Sequence, residues 1–262
     1  MKFSFGKNWL SYSKVALDGS KIAAAREAFL SLTRGIQLRG ARFLDVGFGQ
    51  GLTLFFAAEA GADVYGIDVD PLCAEAIQAT QRFFPSAPLP RIAIASILDE
   101  ALVQAQQETG GFDVVHSWGV LHHTGDMAKA FRNTGALVRG GGFLIISIYN
   151  RHWTSPLWHG VKRIFNKLPR ALQEGILLSL YPLFYLRARS LFGHAGELTD
   201  RGMDLRHDIR DWLGGYPYEY ASPTEIQERF SELGFHLVRC ELTRGFTGCN
   251  EFVFQKADSG DK

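Results

Sequence analysis

With 262 residues, 46% of them hydrophobic and 21% charged, and a formal net charge of +1, the chain has the composition of an ordinary globular protein able to bury one large core or two modest ones. The near-neutral total gives no global reason to expect a polyanionic partner. Cys73, Cys240 and Cys249 are far apart, odd in number and without CxxC or Cys/His spacing, so they suggest neither a disulfide framework nor a zinc site, and reduced thiols in the cytoplasm are expected.

The first residues, MKFSFGKNWLSYSK, have polar residues interrupting every apolar run and so lack the core of a signal peptide. Bulky Phe5 and Trp9 suit a segment that folds over a site or docks on a sheet edge. Residues 20–34 place Ile22, Ala25, Phe29 and Leu32 at helical spacing, with Ser20 as the cap. From Ala41 the chain alternates. ARFLDV, DVYGIDVD, RIAIASI, FDVVHSWGV and GFLIISIYN read as strands, and the stretches starting at Leu52, Pro71, Asp99 and Gly125 read as helices, several closed by glycine. This rhythm predicts a Rossmann-like, doubly wound α/β sheet, mostly parallel, with helices on both faces.

The alternation stops at Asn150. Residues 151–220 contain no clear strand and are read as a helical cap inserted after the fifth strand. Their most apolar stretch, residues 176–186, is too short to span a bilayer and contains Pro182. The helix PTEIQERFSELGF then resumes the pattern, and FHLVRCELT and NEFVFQKA, linked by RGFTGC, predict an antiparallel hairpin at the sheet edge. The expected organisation is one domain: a cover segment and helix (1–40), a cofactor-binding core (41–150), the cap (151–220), a final helix and two strands (221–257), and a frayed tail (258–262).

The loop FLDVGFGQG follows the first strand, where backbone N–H groups and a helix N-terminus face any ligand. The dinucleotide fingerprint GxGxxG needs a third glycine at position 52, which is Leu52. Gly47, Gly49 and Gly51 form GxGxG instead, so a nicotinamide or flavin site fits poorly. Asp45 would repel a phosphate but attract an ammonium. Asp68, at the end of the second strand, is placed to accept hydrogen bonds from ribose hydroxyls.

On FLDVGFGQG, VYGIDVD, FDVVHSWGVLHHTGD and LVRGGGFLIISIYN the sequence resembles the class I S-adenosylmethionine-dependent methyltransferases, and within them the UbiE/UbiG-type small-molecule group, which often carries an LHH or LEH triplet at the same place. The likeness covers residues 41–150. It implies S-adenosylmethionine as cofactor, with Asp45, Gly47, Phe48, Gly49 and Gly51 around the methionine moiety. It further implies Asp68 at the ribose, Val69 among the cofactor-binding residues, Ser96 and Ile97 along the adenine, and Ser117 and Trp118 beside the reacting methyl. Many relatives have an acid where this chain has Ser96; Asp99 stands nearby.

Methyl transfer to a hydroxyl needs alignment, water exclusion and a base. His122, His123 and Tyr149 are the candidates; adjacent histidines do not share a face, so one projects while the other packs. Asp126 is read as a helix cap. In the insertion, residues 151–192 hold seven Lys or Arg, including Lys162, Arg163 and Lys167, against the single acid Glu174, interleaved with aromatics. This mix suits a cap over a small or lipid-like acceptor, contact with an anionic membrane, or contact with RNA. His207, Tyr216, Tyr218 and Glu219 are further candidates for the substrate pocket. An O-methyltransferase is therefore expected, with an RNA methyltransferase or a non-catalytic cofactor-binding module as alternatives. Nothing in the sequence points to a stable protein partner or a metal.

Overall fold

The computed structural model describes residues 4–192, 202–243 and 248–258. The expected hairpin link at 244–247, the tail beyond 258, and the side chains of Arg187, Arg189 and Phe192 lie outside the described residues.

The chain opens with α1 (Phe5–Ser11), a π-helical turn at Tyr12–Ala16, and α2 (Gly19–Leu32). Asp18, not Ser20, caps α2: its carboxylate accepts from the backbone N–H groups of Ser20 and Lys21 at 2.9 and 3.0 Å. A carboxylate there also complements the positive end of the helix. The alternating core follows as β1 (Arg42–Val46), α3 (Leu52–Glu59), β2 (Asp63–Asp68), α4 (Leu72–Thr80), β3 (Arg91–Ile94), α5 (Glu100–Glu108), β4 (Phe112–Trp118), α6 (Met127–Leu137) and β5 (Val138–Tyr149).

Between β5 and the final helix stand α7 (Ser155–Phe165), α8 (Arg170–Phe192) and α9 (Leu205–Gly214). They contain no strand among the described residues. The chain ends with α10 (Pro223–Glu232), β6 (Phe235–Glu241) and β7 (Cys249–Lys256). α8 runs through Pro182, which the sequence suggested would interrupt it. Pro182 and Leu178 are exposed, so water can take the carbonyl left without its helical donor. Among the described residues no helix is long and apolar enough to cross a membrane.

The seven strands are ordered β3-β2-β1-β4-β5-β7-β6. The first five run parallel, and β7 pairs antiparallel with both β5 and β6. Alternate strand residues feed two cores. Leu44, Val115, Ile146 and Phe252 face the layer containing Phe131 and Phe230, and Phe43, Val114, Ile145 and Val253 face the layer containing Phe29 and Phe55. Burial on both faces is why these strands read as nearly continuous apolar runs. The cap has a small core of its own, Phe165, Leu177, Ile209 and Leu213, against which Trp212 and Phe184 pack. The Rossmann-like reading of the sequence thus holds. Its switch point, where strand order reverses, lies between β1 and β4, and the crevice there opens at the carboxyl ends of both strands.

Candidate active site

The glycine loop leaves β1 at Val46 and enters α3 at Leu52. Gly47, Gly49 and Gly51 all have positive φ, 79°, 54° and 79°. A Cβ at these positions would lie 2.3 Å from Val120, 3.0 Å from the Trp9 indole nitrogen and 2.5 Å from Ile77 respectively. The glycines therefore serve both the left-handed turn and the close approach of three other elements. Phe48 is buried against Gly66 and also lines the crevice.

Asp68 ties this loop to β2, one carboxylate oxygen accepting from the Gly49 N–H at 3.0 Å and the other from the Asp70 N–H at 2.9 Å. Burial pushes its pKa up, opposed by those hydrogen bonds. The Cys73 thiol also donates to this carboxylate, which leaves one of its acceptor positions for a ligand hydroxyl. Val69, next to it, is 64% exposed and offers an apolar surface at the strand end. Ile97 is core, its carbonyl accepting from Asn133 Nδ2 at 2.8 Å. Ser96 Oγ accepts from the Leu98 N–H at 3.2 Å, and Asp99 is engaged in capping α5. Asp126 caps α6 through the Lys129 N–H.

Asp45 is buried, and its Oδ1 lies 2.8 Å from Nδ1 of His116 on β4. The two residues are cross-strand neighbours in the β1–β4 register. His116 escaped the sequence reading; its signal was a polar residue inside the apolar strand FDVVHSW, and only the pairing of β1 with β4 places it opposite Asp45. Both line a cavity of about 120 Å³ together with Gly47, Gly49, Trp118 and Trp9. Among the described residues no lysine or arginine lines it. Its donor set is a carboxylate, backbone groups and aromatic rings, which fits a cationic, phosphate-free ligand. Ser117 lies on the opposite face of β4, fully buried, with Oγ donating to the Val46 carbonyl at 3.0 Å. Trp118 donates from Nε1 to Glu251 at 3.0 Å.

α1 closes over this crevice. Asp70 accepts from the Gly6 N–H and Ser4 Oγ, both at 3.0 Å. Trp9 sits on Gly49, and Asn8 Nδ2 donates to Asp211 Oδ1 at 2.7 Å and to the His207 carbonyl at 3.1 Å in the cap. His207 itself pairs with Asp204 at 2.7 Å.

The histidine pair follows β4. His122 is buried, its Nδ1 accepting from the Tyr149 N–H at 3.3 Å while the ring also bonds the Ser147 backbone. His123 Nδ1 lies 2.6 Å from the Pro217 carbonyl; a carbonyl only accepts, so Nδ1 carries the proton and Nε2 presents a lone pair. Burial holds both imidazoles in the neutral form, His123 pushed down to about 3. The rings of His122 and Tyr149 are 4.2 Å apart, and Phe5 of α1 lies 5.0 Å from His123.

Tyr218 joins this cluster, 5.0 Å from Tyr149, whereas Tyr216 packs on His159. Glu219 acts as a clamp: its N–H donates to the His122 carbonyl and its carboxylate accepts from the Gly125 and Met127 N–H groups. Lys162 stands apart from the rest of the basic run. It points inward, 1% exposed, between the Tyr149 and Tyr218 rings. Arg151 is paired bidentately with Glu225 at 2.9 and 2.8 Å, leaving Arg163, Lys167 and Arg170 as exposed cations of the cap among the described residues.

A methyltransferase-domain family model matches residues 20–239. Ubiquinone biosynthesis O-methyltransferases are similar: that of Albidiferax ferrireducens is 36% identical over 137 residues, 52% of either chain, and that of Paracidovorax citrulli 32% identical over 139 residues, covering 52% of this chain and 56% of the relative. These matches thus span about half the length of the relatives. Among solved structures, magnesium protoporphyrin IX methyltransferase from Synechocystis PCC 6803 with bound SAH superposes with a TM-score of 0.58 at 17% identity, covering 96% of this chain and 93% of that one. The N-methyltransferase NodS from Bradyrhizobium japonicum gives 0.55 at 16% identity, covering 97% and 96%. At such identities the two structures speak for the fold.

Proposed function

The chain belongs to the methyltransferase-domain family, and from that premise we propose that it transfers a methyl group from S-adenosylmethionine to an oxygen of a small or lipid-like acceptor. The observation that carries the reading is one juxtaposition. A phosphate-repelling cavity holding Asp45 beside the glycine loop is joined, through α1, to an enclosed cluster of His123, Tyr149 and Tyr218 under the cap.

Asp45 and the loop backbone would hold the methionine moiety, Asp68 the ribose, and Val69 and the 96–97 segment the adenine. Bound there, the cofactor supplies an electrophilic methyl on a sulfonium. The protein's own residues supply the rest. Trp9 and Phe5 exclude water from the crevice; Tyr149 and Tyr218 orient an aromatic or apolar acceptor; and His123 Nε2, its tautomer fixed by the Pro217 carbonyl, accepts a hydrogen bond from the acceptor hydroxyl and aligns it. His122, with its ring bonded to the backbone, positions its neighbours. The segments divide this work: 1–40 cover, 41–150 hold the cofactor, 151–220 cap the acceptor, and 221–257 complete the sheet.

Labelled S-adenosylmethionine incubated separately with lipids, polar metabolites and RNA tests the proposal. Label is expected in lipids or metabolites. Transfer to RNA would favour the RNA-modifying alternative, and no transfer to any fraction would leave a non-catalytic binding module.

The outer face of the cap supports a second element of the reading, peripheral contact with an anionic membrane. Trp153 is 82% and Leu157 63% exposed, Ile164 and Leu183 are also exposed, and Arg163, Lys167 and Arg170 stand among them. Large apolar side chains interleaved with cations suit a headgroup boundary better than a polyphosphate backbone. A cytoplasmic location, where anionic leaflets are presented, fits this arrangement.

A further inference from the structure

Lys162 is set apart from the other cations of the cap. A lysine stem is long enough to carry its ammonium to water, and the neighbouring Arg163 and Lys167 do keep exposed positions. Lys162 instead turns into the cluster at the carboxyl end of β5. Its Nζ donates to the Trp212 carbonyl and lies 4.9 Å from the Tyr218 ring centre, 5.3 Å from that of Tyr149 and 5.8 Å from that of Trp212. Among the described residues no carboxylate pairs with it; the Cys249 thiol and, more weakly, Asp211 act on it through space, and Asp211 is itself bonded to Asn8 and driven towards its neutral form by burial. The histidines beside it are neutral.

Aromatic faces and one carbonyl partly compensate a desolvated ammonium, but a buried charge of this kind calls for an opposite charge. An ammonium has three donors, and among the described residues it makes a single hydrogen bond. We propose that Lys162 is the counter-charge for an ionised oxygen on the methyl acceptor, a carboxylate or an acidic phenol, bound against the Tyr149 and Tyr218 pair.

This inference rests on the methyl-transfer reading of the same site and narrows its substrate class. A carboxylate arrives ionised, whereas an acidic phenol first gives its proton to water. The oxygen's lone pair then forms the new O–CH₃ bond, the CH₃–S bond breaks with its electron pair going to sulfur, and the sulfonium becomes a neutral thioether. The acceptor's negative charge disappears in the same step. The methylated product therefore loses its attraction to Lys162, which favours release.

Binding of simple probes to the cofactor-free protein tests this without turnover. Benzoate is compared with the neutral isostere benzamide by ligand-observed NMR, and the ionised fraction of 4-nitrophenol is read from its visible absorbance. The first probe reports carboxylate recognition and the second stabilisation of a phenolate. Wild type is expected to favour at least one ionised probe by tenfold or more. Lys162→Met is expected to abolish that preference, and Lys162→Arg to retain part of it, with affinity for S-adenosylhomocysteine within about twofold of wild type in both. Equal binding of charged and neutral probes by wild type, or an undiminished preference in Lys162→Met, overturns the proposal. If Lys162→Met does not fold, the wild-type comparison still decides. Loss of S-adenosylhomocysteine binding by wild type would instead overturn the methyl-transfer reading.

Discussion

Asp45 and His116 form the most telling pair at the scale of single residues. Their hydrogen bond leaves Asp45 Oδ2 for a ligand ammonium, so both contribute to one recognition element. Hydrogen bonds to charged groups are worth about 1.5–3 kcal/mol. Asp45→Ala is therefore expected to weaken S-adenosylhomocysteine binding about 10- to 100-fold by calorimetry, and an unchanged affinity would remove Asp45 from the site. His123 makes a pH-dependent prediction. Its folded value of about 3 lies well below the ordinary value of about 6.5. The unfolded chain then takes up a proton that the folded chain refuses, so this contribution to stability is complete above about pH 6.5 and is lost as pH falls towards 3. The raised carboxyls of Asp68 and Asp211 run the other way, contributing most at low pH and less as pH rises. The urea midpoint of wild type is expected to fall more steeply than that of His123→Phe between pH 6.5 and 4.5. Parallel profiles would show that His123 is not held neutral. In turnover, His123→Gln is expected to lower kcat by roughly tenfold with cofactor affinity kept, the loss of about one aligned hydrogen bond.

Elements were legible in the sequence to the extent that local chemistry sets them. The five parallel strands followed from apolar runs between glycines, and the glycine loop followed from its spacing and Asp45. What was not legible depends on packing between distant segments. Ser20 looked like a helix cap because it precedes an apolar stripe, but the helix starts two residues earlier, where Asp18 accepts from the Ser20 and Lys21 N–H groups with a charge. Lys162 looked like one more surface cation because linear charge counts carry no direction; the turn of α7 over β5 points it inward. His116 became visible only through the register of β1 with β4. The cover was guessed from bulky residues, and α1 now has a specific task, joining the cofactor loop through Trp9 to the cap through Asn8. Trp9→Ala is expected to speed S-adenosylhomocysteine dissociation by roughly tenfold in stopped-flow measurements, a loss of about 1.4 kcal/mol of contact, while circular dichroism stays unchanged. An unaltered off-rate would reduce α1 to an edge support.

The whole molecule combines a sheet that presents one crevice at β1 and β4 with two covers, α1 and the cap, that meet above it. The outer cap face, with Leu157, Ile164, Arg163 and Lys167 exposed, is expected to bring the protein down with vesicles rich in anionic lipid and not with neutral ones, and Arg163→Glu with Lys167→Glu to abolish this. Equal sedimentation with both vesicle types, or none, would contradict membrane contact. All of these expectations depend on the identity of the molecule held by the glycine loop. Calorimetric titration of the wild-type protein with S-adenosylhomocysteine, alongside NAD as a phosphate-bearing control, measures it most directly. A saturable one-to-one heat with S-adenosylhomocysteine and none with NAD is expected; no heat with S-adenosylhomocysteine, or preferential binding of NAD, would contradict a sulfonium-cofactor site.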